Sequence, residues 1–113
     1  MQESAKAKQR LAEPYVEIIV TTKNDAGKWR FSLIPFNALR SVIAVLEFGA
    51  TKYAPDNWKT VPDARQRYFD ASIRHITAWW GGAKSDAESG EHHLAYAICC
   101  LLFLLWIDGG GDD

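Results

Sequence analysis

Seven polar residues, Glu47, Asp70, Arg74, His75, Glu88, His92 and His93, sit on or beside segments that otherwise read as core-forming. Burying a charge without a partner is strongly unfavourable, so chains avoid it unless the charge is paired or binds a metal. Carboxylates and imidazoles entering apolar segments from three parts of a short chain point to one shared site. Such groups suit a divalent cation, with oxygen ligands for Mg2+ and mixed ligands for Mn2+ or Zn2+. Glu88 and His92 lie one helical turn apart. The spacing is not the His-Glu-x-x-His zinc pattern, and the adjacent His92 and His93 must diverge, so spacing alone does not define a metal site.

Each residue also has a plainer reading. Glu47 falls roughly 60° from the centre of an apolar helical face, taking about 100° per residue, which is the edge of the core. Its neighbours Gly49, Lys52 and Tyr53 suit a liganded helix end better than a bare turn. Asp70 and Arg74 are spaced i,i+4, as in an intrahelical ion pair. His75 points about 140° away from Asp70, in line with Tyr68 and Trp79. Packing is the simpler role for it there, although an imidazole changes charge near neutral pH. The chain has no Gly-rich phosphate loop, no Gly-x-Ser-x-Gly and no cysteine pair with metal spacing. Cys99 and Cys100 are adjacent within an apolar run and read as buried structural thiols of a reducing compartment, neither disulfide-bonded to each other nor nucleophilic.

The elements that must carry these groups follow from pattern. Residues 1–14 form a polar lead ending at Pro14. Two β-rich runs, Tyr15–Thr22 and Lys28–Ile34, flank Lys23-Asn24-Asp25-Ala26-Gly27, which has the chemistry of a hairpin turn. Pro35 suits the first turn of a helix whose apolar face is Phe36, Leu39, Ile43 and Leu46, and Gly49 marks its end or a close packing point. Thr51–Pro62 reads as a loop. Asp63 is the expected N-cap of a second helix, Ala64–Trp80, which Gly81-Gly82 stops. A polar loop, Ala83–Gly90, precedes a last helix from Glu91 to Ile107. That helix is apolar nearly all round and must be covered on every side, so we expect a homo-oligomer. The tail, residues 108–113, is glycine-rich, acidic and expected to be mobile.

The 113 residues fit one domain, residues 15–107, and 48% apolar composition with five Trp, four Tyr and five Phe is enough for a core. A net charge of −1 argues against general nucleic-acid binding, whereas a few local cations suffice for a small anionic ligand. The polar start lacks the apolar stretch of a signal peptide, and Leu94–Ile107 is shorter than the about 20 residues of a membrane span. A cytoplasmic location without membrane association is expected.

The ordered set Leu33-Ile34-Pro35, Glu47-Phe48-Gly49-Ala50-Thr51-Lys52-Tyr53, Asn57-Trp58, Asp70-x-x-x-Arg74-His75, Asp86-Ala87-Glu88-Ser89-Gly90 and His93-Leu94-Ala95 resembles the phage-associated dATP/dGTP diphosphohydrolase family. This family is MazG-like and includes the MazZ enzymes. The resemblance runs from about Lys28 to Ile107. It implies a mainly α, MazG-like helical bundle, here carrying an N-terminal β-hairpin, that hydrolyses a nucleoside triphosphate to the monophosphate and pyrophosphate. It also implies Mg2+ or Mn2+ held by carboxylates of neighbouring helices, a homodimer or homotetramer, and the host cytoplasm if a phage encodes the chain. Glu47, Asp70 and Glu88 match the family's acidic positions, and His75 and His93 its histidines. Lys52, Asn57, Trp58 and Arg74 match polar and aromatic positions lining its site. The chain departs from the MazG pattern in four places: Ala50 breaks a Glu-x-x-Glu, no Glu-x-x-Asp follows on the next helix, Tyr96 stands where a second histidine is common, and Ser32 replaces a common aspartate.

The chemistry implied is attack of water on the α-phosphorus of a purine dNTP. Glu47, Asp70 and Glu88 would hold the metal, with His93 a further ligand or a hydrogen-bond partner. Lys52 and Arg74 would contact phosphates, and Trp58 or Tyr53 would stack on the base. Two other classes use the same helices: a non-catalytic oligomeric module whose polar groups form salt bridges such as Asp70–Arg74, and a nucleotide sensor that binds without hydrolysis.

Overall fold

The computed structural model describes residues 24–111, in a chain that divides into two compact units, Met1–Phe31 and Ser32–Asp113. In the first unit the Lys28 amide donates to the Asp25 carbonyl at 3.1 Å, and Gly27 takes a positive φ of 82°. The turn expected around Gly27 is therefore present. The second run of the expected β-hairpin, Lys28–Ile34, is not a strand; it is irregular backbone ending in a 3-10 turn at Phe31–Leu33. Alternation of Trp29, Phe31 and Leu33 expresses a strand propensity that depends on a cross-strand neighbour for its effect. The other run, Tyr15–Thr22, and the polar lead, residues 1–14, lie outside the described residues.

The second unit is helical. Helix α1, Phe36–Lys52, begins after Pro35, whose carbonyl accepts from the Ala38 and Leu39 amides at 2.9 and 3.1 Å. Proline suits this place because the first amides of a helix have no intrahelical acceptor. The buried residues of α1 are Val42 and Val45, with Leu39 and Leu46 beside them. Phe36 and Ile43, expected on the core face, are exposed. The two stripes share Leu39 and Leu46, and the β-branched Val42 and Val45 won the contact. Gly49 neither ends α1 nor marks a tight approach; a Cβ there would meet nothing within 4 Å. The following segment contains a 3-10 turn at Asn57–Thr60.

Helix α2, Ala64–Trp80, has the expected bounds. Asp63 precedes it without making a side-chain cap. Its backbone is left-handed (φ 55°), a conformation that Asp tolerates better than most residues. Gly81 and Gly82 close the other end through bonds to the Thr77 and Trp79 carbonyls, and Gly82 has a φ of 108° that favours glycine.

Helix α3, His93–Asp108, starts two residues later than expected because His92 is its N-cap, with Nδ1 accepting from the Leu94 amide at 3.0 Å. Within the tail, residues 109–111 cap α3. The Gly109 amide donates to the Leu105 carbonyl and that of Gly111 to Trp106, both at 3.0 Å. Positive φ at Gly110 and Gly111 permits this turn.

Helix α3 packs against both α1 and α2. Val42 and Val45 meet Ala95 and Cys99, with Tyr96 and Phe103 packed alongside. On α2 the inward residue is Ser72, and its hydroxyl is satisfied by the Phe69 carbonyl at 2.8 Å. Between α2 and α3 the polar loop folds back on itself. Ser85 and His92 form an antiparallel bridge, the Asp86 amide donates to the Glu91 carbonyl at 2.8 Å, and that of His93 to Lys84 at 2.9 Å. Among the described residues no helix is long and apolar enough to cross a membrane.

Candidate active site

The α2–α3 loop brings three chemically active side chains together. His75 lies half-buried on the face of α2 that carries Tyr68, Ala71 and Ser72. His93 is the first residue of α3, and Asp86 belongs to the loop between them. The Nδ1 atoms of His75 and His93 are 2.8 Å apart, so one ring donates and the other accepts. His75 also stacks on Tyr96, with ring centroids 4.5 Å apart and planes 9° from parallel. Burial first, and then the neighbouring His93, hold the His75 imidazole below its ordinary value, while Asp86 pulls the other way.

Asp86 is fixed by its own loop. Oδ2 accepts from the Glu88 and Ser89 amides, each at 3.1 Å, and from the Ser89 hydroxyl at 3.3 Å. Burial raises its pKa, but these bonds outweigh it and the net direction is down, leaving a carboxylate. The Tyr96 hydroxyl donates to Ser89 Oγ at 2.6 Å, extending the chain of contacts. Nothing in the spacing singled out Asp86 as a site residue. The readable signal was its turn chemistry, Asp followed by Ser and Gly at offsets three and four, with Gly90 at a φ of 79°.

His75 and Asp86 open onto a cavity of about 970 Å3 between the helices and the segment after α1. Glu47, Lys52, Tyr53, Asn57, Trp58, Arg74 and Glu88 line it. Arg67, not anticipated from the sequence, is a further cation there. Lys52 Nζ lies 2.6 Å from Glu88 Oε2, and this contact, the leading cause, raises the Lys52 pKa. Tyr53 is exposed beside Lys52, whose ammonium lies 5.3 Å from the ring centroid. Trp58 is committed to packing, stacked on Phe103 at 4.3 Å and set edge-on to Trp106 at 4.9 Å.

The expected metal set does not assemble. Among the described residues, no three of Glu47, Asp70, Glu88 and His93 bring ligand atoms within 4.8 Å of one another. Asp70 is exposed on α2 and lines no part of the cavity, and Glu88 is engaged by Lys52. Helical phase explains Asp70: at about 100° per residue it sits well away from the Ser72–His75 face. The Asp70–Arg74 ion pair of the alternative, non-catalytic reading is not among the ion pairs of the described residues. Burial pushes the Cys99 thiol up to about 12 and that of Cys100 to about 11, which rules both out as nucleophiles near neutral pH.

Fold and site together define a small helical protein with a cleft lined by cations, carboxylates and aromatic rings. Residues 20–112 match the model of a family described as dATP/dGTP diphosphohydrolase, N-terminal, and the chain belongs to that family. Over 85 residues it is 35% identical to a dATP/dGTP diphosphohydrolase of Salmonella phage PMBT28. That alignment covers 75% of this chain and 29% of the relative, so the chain spans less than a third of the relative's length. No solved structure matches.

Proposed function

We propose that this chain hydrolyses purine deoxynucleoside triphosphates, dGTP or dATP, to the monophosphate and pyrophosphate, with Mg2+ or Mn2+ as cofactor. The observation that carries this reading is one cleft holding Lys52, Arg67, Arg74, Glu47 and Tyr53 in a chain of this family. A triphosphate needs cations around it, and the guanidiniums suit bidentate contact while Lys52 acts as a point charge. Tyr53, exposed and next to Lys52, is the platform for the base in preference to the packed Trp58. Glu47 orients the attacking water. The divalent ion supplies charge neutralisation and an activated water when bound.

The assembly we propose is a homodimer or homotetramer. Leu101, Leu102 and Leu105 are exposed on α3, and contiguous apolar surface of this kind marks an interaction face.

The test is a panel of dNTPs with Mg2+ or Mn2+, read by pyrophosphate release and by the nucleotide product. Release from dGTP or dATP with dNMP formed is expected. Thermal stabilisation by nucleotide without turnover would overturn hydrolysis in favour of a sensor, since a ligand raises apparent stability by binding the native state.

A further inference from the structure

We propose that His75, Asp86 and His93 bind one divalent first-row transition-metal ion, of the Zn2+, Co2+ and Mn2+ class, at the junction of α2, α3 and their connecting loop. Each residue offers one ligand atom, and these atoms lie within 4.8 Å of one another. Among the described residues this is the one group of three or more His, Cys, Asp or Glu that converges in this way. The inference concerns binding and stands independently of hydrolysis.

The donor set selects the ion. Two imidazoles with one carboxylate suit borderline metals, and three protein ligands leave positions open for water or an anion. Mg2+ prefers oxygen throughout and is the poorer fit. The ring nitrogens stand 2.8 Å apart, whereas ligand atoms around a zinc ion at about 2.1 Å are roughly 3.4 Å apart in a tetrahedron. Ligation through these atoms requires them to separate by about 0.6 Å.

The surroundings are those of an oriented site. His75 is held by its stack on Tyr96, and His93 by its place at the start of α3. Three donors fix Oδ2 of Asp86, which leaves Oδ1 for an ion. Ser89 and Tyr96 complete that support, as partners behind metal ligands commonly do. His92 is excluded because its Nδ1 caps α3. Open positions on the ion would face the cavity, since His75 and Asp86 both line it.

The test uses the full chain, stripped with chelator and titrated with Co2+ alone and then Zn2+. One Co2+ per chain is expected, with visible absorption bands that Zn2+ abolishes at stoichiometric amounts. His75→Ala and His93→Ala should each weaken binding about 100-fold or more, and Ser89→Ala about 10-fold. His92→Asn keeps a capping oxygen and should bind as the parent does. Circular dichroism establishes that each variant is folded. Where His75→Ala or His93→Ala is not folded, protection by Zn2+ in the unmodified chain decides. His75 and His93 should resist acylation by diethyl pyrocarbonate while His92 does not. Failure to bind Co2+ stoichiometrically, binding that survives loss of His75 and His93, or protection confined to His92 would overturn the proposal.

Discussion

Lys52 and Glu88 meet at 2.6 Å although 36 positions separate them. Exposed ion pairs contribute little to stability, and a triphosphate offers Lys52 a far denser negative charge than one carboxylate. Substrate should therefore displace Glu88 from Lys52. On the proposed activity, Lys52→Met is expected to raise KM for dGTP about tenfold, with kcat changed less. Its melting temperature should stay near that of the parent because the pair is on the surface. Steady-state kinetics and a thermal scan check both parts, and an unchanged KM removes Lys52 from the phosphate contacts.

The loop between α2 and α3 shows what an element contributes beyond its residues. Its closure at Ser85 and His92 sets Asp86 beside the two histidines, and the Tyr96 hydroxyl ties Ser89 to α3. Tyr96→Phe removes that hydroxyl and keeps the ring stacked on His75. A loss of about 1 kcal/mol is expected. For a domain of this size that is a fall of roughly 4–8 °C in Tm. Differential scanning calorimetry measures it, and an unchanged Tm means the bond adds nothing. The elements themselves were largely legible. Asp63 and Gly81-Gly82 delimited α2 correctly, and Pro35 marked the start of α1. Lys28–Ile34 misled because alternation reports propensity, not the presence of a partner strand. The site was legible only in part. Helical phase placed His75 on the packed face of α2, but it put Glu47 at the edge of the core, whereas the contact runs through Val42 and Val45 and Glu47 is exposed; nor does phase within one helix say anything of convergence between helices. Asp86 depended on a loop whose folding rests on backbone bonds that a sequence pattern does not display.

At the scale of the whole molecule, α3 is covered on one side. Ala95, Ala97, Cys99 and Cys100 are buried, whereas Leu105 retains 71% of its accessible surface. Apolar area removed from water stabilises an assembly by roughly 25 cal/mol per Å2, before the entropy lost on association is subtracted. Leu105→Asp should therefore shift the proposed oligomer to monomer without unfolding it, because Leu105 takes no part in the described core cluster. Sedimentation velocity distinguishes the species, and an assembly that persists in the variant places the contact elsewhere.

Gly49 lines the cavity from within α1, and a Cβ at that position would touch nothing. The helix thus presents a bald strip of main chain to incoming molecules. Folding tolerates a methyl group there, and would even gain from it, since alanine is the better helix former. The same methyl would occupy open space at the cavity wall. Steric admission and structural integrity are set by different atoms at this one position.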